Sequence, residues 1–388
     1  MKTVSPSKIL VVDDEPDLEP LMLQRMRRYI RKGTYEFLFA RSGKEALEQL
    51  NEDPEIDIVL SDINMPEMDG LAMLEQIPDI NPNVRAVVVS AYGDMKNIRT
   101  AMNRGAFDFE TKPVDFRDLQ ITIERTLAHT QQWKEALSYR DKLVSIQNEL
   151  EVASRIQRSI LPSDFPDTPQ FQMFGNMEAA QDVGGDFYDV IPLDRGRVGL
   201  VMADVSGKGI PAAMFMMTCR TLMKGVAIGL LNPGEVLEEV NNLLCEENET
   251  TQFVTVLYAV YDSETGSFTY ASGGHDAPLL VRRDGRTELL PLTEGIALGV
   301  QSDFKYPQRK VTLDPGERVV LYTDGITEAQ TEEGVLFGVE GLSNALLGTS
   351  GTEPAEATIR EIFAATREYM GDAPQFDDIT CLAIHRIG

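Results

Sequence analysis

Two sets of aspartates stand at the ends of predicted strands, and both are suited to phosphate chemistry. The first comprises Asp13 and Asp14 after "ILVV", Asp62 in "LSDINMPEMDG", Ser90 in "VVVSAYGD" and Lys112 in "TKP". The second comprises Asp186 in "GGDFYDV", Asp204 in "ADVSGKG", Asp324 in "YTDG" and Asp377 in "FDDIT". Carboxylates crowded together repel one another and raise their own pKa values unless a cation binds, and an all-oxygen set suits six-coordinate Mg²⁺. Beside such a cation, Asp62 can act as a carboxylate nucleophile toward a phosphoryl donor. The acyl phosphate would be neutralised by the metal and Lys112, and would accept a hydrogen bond from Ser90. The second set can gather two cations about 3.5–4 Å apart, whose shared water becomes a nucleophile at neutral pH.

The elements that must position these residues follow from periodicity. Apolar runs at 9–12, 35–40, 56–60, 84–89 and 107–109 alternate with helical patterns near 18–29, 44–50, 71–77 and 97–103. That alternation predicts a doubly wound α/β domain over residues 1–126. In an open parallel sheet, residues directly after the strands share one crevice, which brings Asp13, Asp14, Asp62, Ser90 and Lys112 together. No Gly-rich loop follows the first strand, so nucleotide binding there is disfavoured.

From Asp115 to Pro162 no glycine or proline intervenes, which predicts a long helix with a connector over 127–162. Tyr139, Leu143, Ile146, Leu150, Ala153, Gln157 and Ile160 follow alternating steps of four and three, the spacing of a coiled-coil seam and hence of a homodimer, with a helix that packs back on its own domain as the alternative. His129 on this helix reads as a solvated residue and Trp133 as a packing anchor.

Over 163–388, strand-like runs appear at 198–202, 254–261, 268–271, 279–281, 319–322 and 379–384, with helices at 212–231, 233–246, 342–347 and 354–370. Adjacent strands with few crossovers predict an α+β domain, a β-sandwich or mainly antiparallel sheet covered by helices.

The formal net charge of −26 excludes a basic nucleic-acid or anionic-membrane surface and favours divalent cations. The first residues lack the apolar core of a signal peptide, and no apolar run approaches the ~20 residues needed to span a bilayer, so a cytoplasmic location is expected. Cys219, Cys245 and Cys381 have neither disulfide nor CxxC spacing and read as packing residues.

Residues 8 to about 126 resemble a response-regulator receiver domain, on the words "VVDDE", "LSDINMPEMDG", "VVVSAYGD" and "TKP". The resemblance implies a flavodoxin-like fold and Mg²⁺ held by Asp13, Asp14, Asp62 and the backbone carbonyl of Asn64. It also implies phosphorylation of Asp62 by a cognate histidine kinase, with Ser90 as switch hydroxyl and Lys112 pairing with the phosphate. Phe109 falls at the family's aromatic switch position. Without a hydroxyl it can couple only through packing, or serve as a core aromatic.

Residues from about 150 onward resemble the metal-dependent 2C-type protein phosphatases (PPM family), specifically the SpoIIE-like branch. The words are "ELEVASRIQRSILP", "GGDFYDV", "ADVSGKGIPAAM", "ASGGHDAPLL", "LYTDGITEA" and "FDDIT". The resemblance implies that Asp204 bridges two Mn²⁺ or Mg²⁺ ions while the Val205 carbonyl completes one sphere. Asp324 and Asp377 would complete the other, with Asp378 as the alternative to Asp377, and Asp186 would hold metal-bound water. Attack on a phosphoserine or phosphothreonine ester would then proceed in line without a covalent intermediate. The arginine that eukaryotic members place before the first acidic word is missing from 178–183, which leaves phosphate recognition to the metals and to Lys208, with a merely exposed lysine as the alternative. His275 in "GGH" reads as a turn residue, with leaving-group protonation as the alternative.

Together the resemblances imply a phosphorylation-regulated serine/threonine phosphatase of a two-component, partner-switching pathway. Its substrate would be a phosphorylated STAS-type anti-sigma-factor antagonist. The segment 210–231, directly after the bridging aspartate, would be a regulatory helix through which the receiver controls metal occupancy. The alternative is a non-catalytic adaptor that uses a phosphatase-like domain for protein binding.

Overall fold

Runs such as ILVV at 9–12 leave no polar face, so their strands must be covered on both sides. The computed structural model, which describes residues 5–91, 94–246, 251–347 and 353–388, covers them with helices on both faces of a parallel sheet. The elements are β1 (Ser7–Val12), α1 (Leu18–Arg25), α2 (Arg27–Arg31), β2 (Tyr35–Ala40), α3 (Gly43–Glu52), β3 (Ile56–Asp62), α4 (Gly70–Ile80), β4 (Arg85–Ala91), α5 (Met95–Asn103) and β5 (Asp108–Lys112). The sheet order is β2-β1-β3-β4-β5. Leu10, Val12, Val59 and Val88 pack on one face with Leu47, Leu50, Met73 and Leu74 of α3 and α4. Ile9, Val11, Ile58 and Val87 pack on the other with Met22 of α1. Successive residues of one strand therefore serve opposite layers. Asp69 begins α4 by accepting the Ala72 N–H at 2.7 Å, which holds the chain just beyond Asp62.

A single helix, α6 (Phe116–Ile160), spans 45 residues and runs without a break through residues 126 and 127. The chain divides within it into two compact units, Met1–Ile146 and Gln147–Gly388. In the first unit Leu119 and Ile123 join the core, Trp133 lies beneath the Arg85 guanidinium at 5.6 Å, and His129 meets the Phe107 ring at 4.7 Å. Farther along, Tyr139, Leu143 and Ile146 are 67%, 66% and 54% exposed. Among the described residues, no helix is long and apolar enough to cross a membrane.

The second unit contains β6 (Phe171–Glu178), β7 (Phe187–Pro192), β8 (Arg197–Val205), α7 (Ile210–Gly229), α8 (Pro233–Glu246), β9 (Val254–Asp262), β10 (Ser267–Gly273), β11 (Leu279–Val281) and β12 (Thr287–Leu289). It continues with β13 (Gln308–Thr312), β14 (Arg318–Tyr322), α9 (Asp324–Thr327), α10 (Gly338–Ala345), α11 (Ala355–Met370) and β15 (Ile379–Arg386). Two antiparallel sheets form, in the orders β13-β10-β9-β8-β7 and β12-β11-β14-β15-β6. Leu200, Met202, Leu257, Phe268, Leu321 and Leu382 fill the space between them. Val201, Ala203 and Val256 face Met216, Cys219 and Val240 of α7 and α8, while Val320 and Cys381 face Ile359 and Phe363 of α11. The result is four layers: helix, sheet, sheet, helix.

The strands β6, β7, β12 and β13 go beyond those that hydropathy predicts. In β7 the run is interrupted by Asp189, which remains buried because Arg220 of α7 reaches it at 3.0 Å. In β6 buried Phe171, Met173 and Gly175 alternate with polar or partly exposed neighbours, a half-covered strand without a continuous apolar run.

His275, just past β10, ties the two sheets together. Its Nδ1 lies 2.9 Å from the hydroxyl of Thr255 on β9, and its Nε2 lies 3.1 Å from the carbonyl of Tyr322 on β14. Nε2–H donates to that carbonyl, and Nδ1 accepts from the threonine. Burial lowers the imidazole pKa to about 4, with the Tyr322 carbonyl pulling weakly the other way. Both ring nitrogens are committed, so His275 is structural. The unfolded imidazole takes up a proton near pH 6.5, whereas the folded one resists until about 4. The stabilisation from the neutral ring is thus whole above pH 6.5 and is lost as pH falls toward 4. In urea unfolding, the stability gap between wild type and His275→Gln should narrow by up to about 3 kcal/mol from pH 7 to pH 4. A gap that does not change with pH would mean that the ring titrates normally.

Candidate functional site

Because β1 and β3 are neighbours, the residues that leave their carboxyl ends meet. Among the described residues, Asp13, Asp14 and Asp62 form the acidic group whose ligand atoms all lie within 4.8 Å of one another. Lys112, at the end of β5, donates to Asp62 Oδ2 at 2.7 Å and to Asp13 Oδ2 at 3.1 Å. Burial pushes Asp13 above the usual carboxylate range, against the pull of Lys112. Burial alone would lower the Lys112 pKa, but its hydrogen bonds to Asp62 and Asp13 outweigh that and raise it. Among the described residues, the buried Ser90 hydroxyl has no hydrogen-bond partner.

Asn64 is exposed, and its N–H donates to Asp62 Oδ1 at 3.3 Å. Gly70 is required at the start of α4, since a Cβ there would come within 2.1 Å of the Asp62 carbonyl oxygen. Phe109 lies on the edge strand and is 38% exposed, so it is not a core aromatic. An octahedral cation with oxygens at about 2.0–2.1 Å needs ligand atoms no farther apart than about 4.2 Å, close to the spread of this trio.

The second set gathers where the two sheets of the C-terminal domain come together. Asp186 precedes β7, Asp204 and Val205 end β8, Asp324 follows β14 at the start of α9, and Asp377 precedes β15. Asp186 is buried, and its Oδ2 accepts from the Thr323 hydroxyl at 2.6 Å and the Thr380 hydroxyl at 2.7 Å. Burial, then the neighbouring charges of Asp204 and Asp378, hold its pKa well above the usual range. Burial and Asp324 push Asp204 up to about 7, against a hydrogen bond with Asp186. Burial, then Glu328 and Asp377, raise Asp324 to about 6. Among the described residues, these carboxylates do not form a group of three whose ligand atoms all lie within 4.8 Å of one another, as the receiver trio does.

The neighbouring carboxylates Asp377 and Asp378 do different work. Asp378 is buried; its Oδ1 accepts the Ala180 N–H at 2.8 Å, and its Oδ2 accepts those of Gly185 at 2.7 Å and Asp186 at 3.3 Å. It fixes the backbone that carries Asp186 rather than facing the open site. Asp377 is partly exposed, with Oδ1 accepting the Asp378 N–H at 2.9 Å and Oδ2 lying 3.0 Å from Lys208 Nζ. Added Cβ atoms would come within 2.2 Å of Asp378 Oδ2 at Gly184 and 1.9 Å of the Asp378 carbonyl oxygen at Gly325. These glycines are therefore set by close approach to Asp378.

Thr323, Thr380 and Gln157 are site residues that the search for acidic words passes over. The two threonines stand beside the acidic residues in "YTDG" and "FDDIT" and supply the donors that hold Asp186. Gln157, assigned by its spacing to the coiled-coil seam, is instead buried in its own domain. It donates from Nε2 to the Gly184 carbonyl at 2.6 Å and accepts the Gly184 N–H at 3.0 Å.

Comparison with known proteins bears on the fold and the family. The family model for Stage II sporulation protein E (SpoIIE) matches residues 194–387, half of the chain, and that for the response regulator receiver domain matches residues 9–124. Phosphoserine phosphatase RsbU of Bacillus subtilis (strain 168) is 27% identical over 271 residues, which cover 70% of this chain and 80% of RsbU. Protein IcfG of Synechocystis is 29% identical over 268 residues, 61% of this chain but only 41% of IcfG. The SiaA-PP2C domain of Pseudomonas aeruginosa shares the fold, with a TM-score of 0.54 at 24% identity over 64% of this chain and 99% of that domain. With its receiver sheet and its paired antiparallel sheets, the chain belongs to the SpoIIE family of PP2C-type phosphatases and carries a response-regulator receiver domain.

Proposed function

We propose that this chain is a protein-serine/threonine phosphatase dependent on two divalent cations, Mn²⁺ or Mg²⁺, and regulated by phosphorylation of Asp62. One observation carries the reading. Asp186, Asp204 and Asp324 arrive from the ends of separate strands, and burial with neighbouring carboxylates, first among them Asp204 at Asp186, Asp324 at Asp204 and Glu328 at Asp324, holds all three above the usual carboxylate range. Such crowding is relieved by cations.

The donor set fits such ions, since carboxylates and a backbone carbonyl are hard oxygen ligands. The Val205 carbonyl is left approachable by Gly185, where a Cβ would come to 2.9 Å from its oxygen. Asp204 would be shared by both cations, with the Val205 carbonyl completing one sphere and Asp324 and Asp377 the other. Bound there, the cations would lower the pKa of water and neutralise the phosphate. Asp186, held by two threonine hydroxyls, orients the attacking water. The water oxygen bonds to phosphorus opposite the ester oxygen, the ester P–O bond breaks, and the serine or threonine oxygen leaves with a proton. No residue becomes covalently modified in this hydrolysis.

The similarity to RsbU, a phosphoserine phosphatase, supports the substrate class. Within it, we assign a phosphorylated STAS-type anti-sigma-factor antagonist, as the SpoIIE resemblance implies, acted on in a partner-switching pathway. The receiver accepts its phosphoryl group on Asp62 from a cognate histidine kinase, with Mg²⁺ held by Asp13, Asp14, Asp62 and the Asn64 carbonyl. Exposed Tyr139, Leu143 and Ile146 favour a homodimer through α6.

Asp204→Asn should lower turnover of a phosphorylated antagonist at least about 100-fold in a Mn²⁺-supplemented assay. Equal activity in both proteins would reject the metal mechanism. Beryllofluoride, which mimics the phosphoryl group on Asp62, should displace the Mn²⁺ dependence of turnover in wild type but not in Asp62→Asn. A curve that stays in place in both would remove the proposed link from receiver to active site.

A further inference from the structure

Lys208, expected from the sequence to help recognise the substrate phosphate, has its ammonium on one of the proposed metal ligands. It belongs to the loop that leaves β8 directly after Asp204 and Val205. Nζ lies 3.0 Å from Asp377 Oδ2, donates to the Phe376 backbone carbonyl and stands 4.0 Å from the centroid of the Phe376 ring. Carboxylate, carbonyl and aromatic face are each attractive to a cation, so three partners from one segment converge on this ammonium. The other Asp377 oxygen is occupied by the Asp378 N–H. A divalent ion that takes Asp377 Oδ2 meets the Lys208 ammonium on the same oxygen, and the two cations repel each other there.

We propose that Lys208 is an internal competitor for the divalent cation at Asp377. Its ammonium holds the carboxylate in place while metal is scarce, and it sets the metal concentration at which the weaker of the two sites fills. The inference rests on the assignment of Asp377 as a ligand in the proposed function. The two side chains are 34% and 30% exposed, so solvent screens the pair and the competition is moderate. A moderate penalty keeps a metal site sensitive to small changes in cation concentration instead of saturated.

The test is Mn²⁺ binding to the metal-free full-length chain, followed by the electron paramagnetic resonance of free Mn²⁺ at fixed ionic strength. The receiver site is silenced in every sample by Asp13→Asn and Asp14→Asn. Lys208→Gln should tighten the weaker C-terminal site by about three- to tenfold, while Lys208→Arg, which keeps the charge, should stay close to wild type. Asp377→Asn should weaken or abolish that site, and adding Lys208→Gln to it should change nothing. Unchanged affinity in Lys208→Gln, with Asp377→Asn still impaired, overturns the competition while leaving the phosphatase reading intact. An equal tightening by Lys208→Gln with and without the Asp377 carboxylate also overturns it, since the charge would then act at a distance. Two undisturbed sites in Asp377→Asn would instead remove the ligand assignment itself.

Discussion

Carboxylates held close together in a partly buried space are the constraint on which both domains depend. Left free, such groups would turn toward solvent, because burial and mutual repulsion both penalise the charged form. The C-terminal domain prevents this with fixed donors. Thr323 and Thr380 hold Asp186, and three backbone N–H groups hold Asp378, which in turn shapes the turn before β7. Glycines at 184 and 325 allow the backbone to approach where any side chain would collide. The site is therefore already organised by groups that do not themselves touch a substrate.

The two domains manage their acidic groups differently, and the difference matches their chemistry. In the receiver, Lys112 already bridges Asp13 and Asp62, so one positive charge is built in and one compact trio remains for a single cation. Among the described residues the buried Ser90 hydroxyl has no partner, and in the proposed function it would donate to an oxygen of the phosphoryl group. In the C-terminal domain the carboxylates are drawn from both sheets. Their built-in cation, Lys208, lies on Asp377.

Packing connects this site to its surroundings within the second unit. The helix α7 begins immediately beyond the loop that carries Lys208, and it is held against the sheet by buried Met216, Cys219 and Met223 and by the Arg220–Asp189 ion pair. At the other side, the last turns of α6 clamp Gly184 through Gln157, two residues before Asp186. A buried side chain that pairs with both backbone groups of one residue is a specific attachment, and losing one partner would strand the other. Both helices thus abut the turns from which the acidic residues project.

Asp13, Asp62, Asp204, Asp324 and Asp377 could be placed at strand ends from the amino-acid order because each adjoins an apolar run, whereas Asp186 precedes β7, which hydropathy does not mark. The parallel receiver sheet was legible for the same reason, since its strands are covered on both faces and read as unbroken apolar runs. β6 and β7 escaped detection because their polar positions are satisfied by distant partners, as Arg220 satisfies Asp189, and local hydropathy carries no sign of a partner 31 residues away. The sequence alone left Asp377 and Asp378 as alternatives and assigned Gln157 to a seam. Only the tertiary structure separated their roles, because which carboxylate meets backbone N–H groups, and which face of a helix meets a glycine turn, depends on how distant strands and loops are brought together.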